Sequence, residues 1–130
     1  MKQIPNSFTW YNRPNWFWPN HDEKLKQVND WVRDADLAFN HIDRFDVAVQ
    51  AGGACGVWPA YLSNHFKMVV TFEPVETNYE CSVKNTEHLD NVKSFKAALA
   101  DKKKGVSMSV DEFEKNNCGC LLYTSDAADE

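Results

Sequence analysis

The stretch Phe45-Asp46-Val47-Ala48-Val49-Gln50-Ala51-Gly52-Gly53-Ala54-Cys55-Gly56-Val57-Trp58-Pro59-Ala60-Tyr61-Leu62 decides the fold. Its opening, Phe45 to Val49, is a short apolar run of the kind that makes a buried parallel strand. The run enters Gln50-Ala51-Gly52-Gly53-Ala54-Cys55-Gly56, a turn with three glycines. A helix is expected from about Val57, and Pro59 is tolerated in its first turn, where its missing N–H has no intrahelical acceptor to lose. Strand, glycine turn and helix form the corner of an open α/β sheet where a nucleotide can approach the backbone without meeting a Cβ. A second strand, Met68 to Phe72, ends at Glu73. That spacing from the turn suits an acid that takes two ribose hydroxyls.

These paired motifs resemble those of class I S-adenosylmethionine (SAM)-dependent methyltransferases, most closely the FkbM-type family, over roughly residues 45–100. The family's first motif, an acid followed by a glycine turn (D-x-G-A-N-x-G), stands here as Gln50 to Gly56. Its second, F-E-P before an Asn-containing helix, stands as Phe72-Glu73-Pro74 with Asn78 and Asn85. The resemblance implies an α/β, Rossmann-like methyltransferase fold, truncated after its first three core strands. It implies that Gly52, Gly53, Ala54 and Gly56 cradle the methionine part of SAM and that Glu73 accepts bonds from both ribose hydroxyls. It also implies that Ala98 and Leu99 wall the adenine; read as residues alone, they are core at a strand end. Gln50 occupies the place of an acid that, in the family, meets the ammonium end of SAM directly or through water; glutamine keeps an acceptor and loses the charge. Ala54 occupies the place of a frequent asparagine.

By the same resemblance the whole enzyme transfers a methyl group to an oxygen of a small-molecule, sugar or protein acceptor. Such an in-line displacement is accelerated by positioning, with a base for a hydroxyl acceptor. The family's acceptor-facing residues follow its fourth strand, so no catalytic residue is assigned and this stretch alone is expected to be inactive. A dinucleotide-binding G-x-G-x-x-G fails: counted from Gly52, the third position is Ala54 and the sixth Val57. No G-x-x-x-x-G-K-[ST] loop occurs. Two other classes stay open, a non-catalytic SAM- or nucleotide-binding module and an interaction protein with a Rossmann-like fold.

Upstream, Phe8, Trp10, Tyr11, Trp16, Phe17 and Trp18 are interleaved with Pro5, Pro14 and Pro19. Proline removes donors and extends the preceding residue, so residues 1–19 read as an irregular aromatic arm packed over the domain. The alternative is a lid over the SAM cleft or a platform for the acceptor. Asn20-His21-Asp22-Glu23 has the form of a capping box. The helix after it is expected to run to about His41, with Leu25, Val28, Trp31, Val32, Ala35, Ala38, Phe39 and Ile42 as its apolar stripe.

Downstream, helices are expected from Val57 to about His65 and from Val75 to Thr86, and a third strand from Asn91 to Leu99. A polar turn (Asp101 to Gly105), a strand (Val106 to Val110) and a helix from Asp111 to about Asn116 follow. Cys120 to Glu130 reads as a translated transposon-end sequencing adapter, of the sort left on metagenomic reads. The expected organisation is an arm at 1–19, the N-terminal half of a methyltransferase domain at 20–119, and a non-native tail at 120–130.

At 130 residues, with 43% hydrophobic and 13% aromatic content, the chain can bury one small core. A net charge of −5 and a pI near 5.3 argue against a nucleic-acid surface. Lys102-Lys103-Lys104 reads as a solvated turn. No apolar run reaches transmembrane length and no signal-peptide region opens the chain, so the expectation is a cytoplasmic protein with four reduced cysteines and no membrane partner. His21, His41, His65 and His88 are scattered and show no metal-ligand spacing, so no metal is expected. Cys55 reads as a small core thiol.

Overall fold

The computed structural model of the chain describes residues 1–99 and two short strands beyond them. The element order is β1 (Lys2–Pro5), β2 (Asn15–Trp18), α1 (Leu25–Arg33), α2 (Ala35–Phe39), β3 (Val47–Ala51), α3 (Val57–Ser63), β4 (Met68–Phe72), α4 (Glu76–Thr86), β5 (Val92–Phe95), β6 (Met108–Val110) and β7 (Leu121–Tyr123). β3, β4 and β5 form a parallel sheet in that order. β6 and β7 pair antiparallel, Met108 opposite Tyr123. The expected turn at Asp101 to Gly105, the helix from Asp111, the cysteines at 118 and 120, and the rest of the tail lie outside the described residues.

The aromatic arm is not irregular. β1 and β2 pair antiparallel, from Lys2 opposite Trp18 to Pro5 opposite Asn15. The extended backbone that proline imposes on its predecessor is itself strand-compatible, and Pro5 sits at a strand end where no ladder donor is required. Asn6 organises the intervening loop. Its backbone N donates to Pro14 O (2.8 Å), its Nδ2 donates to Tyr11 O (2.7 Å), and its Oδ1 accepts from Phe8 N (2.9 Å) and from Trp16 Nε1 (3.1 Å). The hairpin packs over the domain as expected: Tyr11, Trp16 and Trp18 are buried in one core cluster with Leu25, Val32, Val57, Ala60 and Tyr61. Tyr11 and Trp16 stack with ring centroids 3.7 Å apart.

The long helix is two. α1 begins at Leu25, and its cap residue Lys24 makes no side-chain capping bond, so the Asn20–Glu23 box does not form. Asp22 takes that role: its Oδ1 accepts from Lys24 N (2.7 Å) and from Trp18 Nε1 (2.9 Å). The helix breaks at Asp34, where three-residue bonds (Asp34 N to Trp31 O, Leu37 N to Asp34 O, both 3.1 Å) tighten the chain. Asp36, just past the break, accepts from Tyr61 Oη (2.5 Å) and ties α2 to α3.

α3 and α4 cover one face of the sheet, against which Val69 and Thr71 of β4 are buried. The strand expected to be buried, β3, starts two residues later than the apolar run and is an edge. Among the described residues it pairs only with β4, and Val47 and Val49 are 57% and 65% exposed. β5 is also shorter than expected and ends at Phe95, which is 48% exposed and stacks on Phe72.

Candidate functional site

The glycine turn leaves β3 at the carboxyl end of the sheet and is pinned to the next strand. Gly52 N and Gly53 N both donate to Phe72 O (2.8 and 2.9 Å), and Gly56 N donates back to Gly53 O (2.9 Å). The three glycines are required for different reasons. A Cβ on Gly53 would lie 2.5 Å from Thr71 Oγ1, and one on Gly56 2.9 Å from Ser82 Cα of α4. These two let the turn sit down on β4 and α4. Gly52 has φ +82° and nothing within 4 Å of where its Cβ would stand. It is the glycine whose open side a ligand can approach. Between them Ala54 has φ +44°, a left-handed conformation that a β-carbon disfavours.

Glu73 follows β4 at the same edge and is buried. Its carboxylate joins three segments: Oε2 accepts from Ala54 N (2.7 Å), Oε1 from Val75 N (2.9 Å), and the Asn78 side chain adds a third bond. Burial pushes its pKa up, and the bonds from Val75, Ala54 and Asn78 hold it back. A carboxylate offers about four acceptor positions, so these three bonds fix its position without filling it. Gln50 lies within β3 rather than in the turn. Its Oε1 accepts from Thr71 Oγ1 (3.0 Å) and its Nε2 donates to Gly52 O (3.2 Å), so the amide braces the strand end. Cys55 is buried, with its Sγ 3.8 Å from Asn78 Oδ1.

Gln50, Gly52, Gly53, Ala54, Gly56 and Glu73 are therefore brought together at one corner. Ala98 and Leu99 are not core: they lie past the end of β5 and are exposed. Beside the turn lies a cavity of about 160 Å³, lined by Trp18, Asp22, Lys24, Val28, Trp31, Gly52, Gly53, Ala54, Cys55, Val57 and Trp58. The sequence places the glycines here, with bulky Trp58 at the helix start beside them, but does not reveal the α1 wall of Val28 and Trp31. Asn85 was noticed only as part of a motif. Buried, it donates to Cys55 O (2.7 Å) and Phe17 O (2.8 Å) and accepts from Phe17 N (2.7 Å). The signal was its seven-residue spacing from Asn78, which puts both amides on one helix face. Among the described residues no cluster of three or more His, Cys, Asp or Glu side chains could hold a metal, and no helix is long and apolar enough to cross a membrane.

No family model and no curated protein matches the sequence. Among solved structures, the chain is similar to yhhF of Escherichia coli, assigned as a methyltransferase, with a TM-score of 0.53 and 12% identity over 75% of this chain and 54% of that one. Weaker likenesses are to a DhpI–SAH complex (TM-score 0.43, 19% identity, 56% of this chain and 35% of that one) and to a Pyrococcus horikoshii protein assigned as an RNA methyltransferase (TM-score 0.43, 18% identity, 73% and 45%). The chain has the Rossmann-like α/β fold of such proteins and spans about half the length of yhhF.

Proposed function

We propose that this chain is the SAM-binding half of a class I methyltransferase of the FkbM type, acting on an oxygen acceptor. The observation that carries the reading is the junction of Glu73 with the glycine turn at the carboxyl edge of a parallel sheet, the Glu73 carboxylate 2.7 Å from Ala54 N. Ligands of open α/β sheets bind at that edge. The open side of Gly52 admits the ligand, and the unfilled acceptor positions of Glu73 suit a pair of ribose hydroxyls. When bound, SAM supplies an electrophilic methyl group. The chain's own residues hold it: the turn fixes its direction, Glu73 its ribose, and the hairpin with α1 shields one side from water. Positioning of this kind is the larger part of catalysis in an in-line transfer.

A second reading, a SAM- or nucleotide-binding module without turnover, is favoured by Gln50. Its amide is engaged with Thr71 and Gly52, and no carboxylate stands at that position. The test is calorimetric titration of SAM and S-adenosylhomocysteine, with NAD as control. Micromolar binding of the first two, lost in a Glu73→Ala variant that keeps its circular dichroism spectrum, is expected. A folded wild-type chain that binds neither rejects the methyltransferase reading, and one that binds none of the three ligands counts against the module as well. Binding without methyl transfer in a longer version of the protein selects the module.

A further inference from the structure

Cys55 and Cys81 bring two thiols together where the glycine turn meets α4. Neither is in a disulfide, and each is 1% exposed. The bonds around them fix the pairing. Cys55 O accepts from Asn85 Nδ2 (2.7 Å), and Cys55 Sγ lies 3.8 Å from Asn78 Oδ1. Cys81 stands between those two asparagines on α4, at helical spacing from both, and shares their inward face. One residue further along each segment, a Cβ on Gly56 would stand 2.9 Å from Ser82 Cα. Turn and helix are thus in register, and the Cys55 and Cys81 side chains share a hydrogen bond. Each thiol also lines a cavity. Cys55 lines the one beside the glycine turn. Cys81 lines another of about 150 Å³, with Met1, His21 and Glu80 in its wall. One water needs only about 10–15 Å³ of such space, so this cavity admits a small hydroperoxide.

The two thiols are not equivalent. The bond from Cys55 holds the Cys81 pKa down, burial pushes it back up, and the Met1 ammonium lowers it further against the charge of Glu80. The thiolate, not the thiol, is the nucleophile. We propose that Cys55 and Cys81 form a redox-active dithiol, in which Cys81 reacts with small hydroperoxides and Cys55 resolves the product. The Cys81 thiolate attacks one oxygen of the hydroperoxide. An S–O bond forms, the O–O bond breaks, and the departing oxygen takes the proton that Cys81 gave up. Cys81 is then a sulfenic acid. The Cys55 sulfur attacks the Cys81 sulfur, an S–S bond forms as the S–OH bond breaks, and the Cys55 proton leaves with the hydroxyl as water. Two thiols are oxidised and one hydroperoxide is reduced. A dithiol reductant reverses the change by thiol–disulfide exchange. The oxidised form ties the glycine turn to α4 by a covalent bond, and this chemistry does not depend on which ligand the turn takes.

The test is oxidation of the full 130-residue chain by a small excess of hydrogen peroxide. The chain carries Cys118→Ser and Cys120→Ser, so that only the two thiols at issue react. Catalase then removes the peroxide, N-ethylmaleimide in urea caps the remaining thiols, and the digested chain is mapped by mass spectrometry. The expected product is a peptide pair joined Cys55 to Cys81, formed within one chain as both thiols disappear together, and lost on treatment with dithiothreitol. With Cys55→Ser added, Cys81 should accumulate as a sulfenic acid that dimedone traps. With Cys81→Ser added, oxidation of Cys55 should slow by about tenfold or more, since the more acidic thiol that reacts first is gone. Both added variants are checked by circular dichroism, and the map of the parent chain decides the matter if either fails to fold. Three results overturn the inference: both thiols still capped by maleimide after peroxide, Cys81 oxidised while Cys55 stays reduced, or an unchanged Cys55 rate in folded Cys81→Ser.

Discussion

Ala54 carries the strain of the glycine turn. Its φ of +44° is a conformation that costs an ordinary L-residue roughly 1–2 kcal/mol and that asparagine visits more readily. The replacement Ala54→Asn is therefore expected to stabilise the chain by about 0.5–1 kcal/mol in urea denaturation; an unchanged or lower midpoint contradicts the account. The same side-chain logic shows what was legible at this scale. Glu73 and Gly52 were found from spacing and residue type, because the position after a strand and the demand for positive φ are local properties. That Glu73 would be buried against Ala54 N, and that Gln50 would bond Thr71, depended on partners about twenty residues away, which local pattern does not encode.

The elements around the cradle are joined through polar groups. α4 turns Asn78, Cys81, Ser82, Asn85 and Thr86 inward, and its Ser82 sits so close to Gly56 that a Cβ on the glycine would stand 2.9 Å from Ser82 Cα. This inner face has little apolar periodicity to read, yet it carries the joint between hairpin and turn. Removing the Asn85 side chain leaves Phe17 N, Phe17 O and Cys55 O without these partners. Asn85→Ala is expected to cost about 2–4 kcal/mol, seen as a lower denaturation midpoint together with altered tryptophan fluorescence from Trp16 and Trp18. A loss under about 0.5 kcal/mol in that experiment contradicts the joint. β4 was legible to the residue because its apolar run is bounded by Lys67 and Glu73. The break at Asp34 was not legible, since the apolar stripe continues across it and the Asp36–Tyr61 bond that accompanies the break is tertiary.

At the scale of the molecule, one face and both edges of the sheet stand open among the described residues, and the β3 edge is the apolar one. Val47, Val49 and Phe95 are exposed, and β3 has one neighbour. An uncharged edge strand without proline or bulge templates pairing with another chain. The 130-residue chain is expected to elute from a sizing column above monomer mass, and Val49→Lys is expected to shift it toward monomer; a monomeric wild type removes the prediction. Parallel order and the position of the glycine turn were legible from the strand, turn and helix sequence, and a fold cut after three core strands leaves β3 an open edge; that Val47 and Val49 would face out was not legible, because an apolar run looks alike whether or not a layer covers it. The hairpin's dependence on α4 also sets a timetable for synthesis. Tyr11 and Phe17 bond to Asn85 across 74 and 68 residues. At a translation rate of roughly 5–20 residues per second, the aromatic hairpin emerges about 3–14 s before the helix that holds it. For that interval the hairpin has its early neighbours Leu25 and Val32 but lacks the Asn85 bonds that join it to α4, so it stays open to exchange until that helix is made.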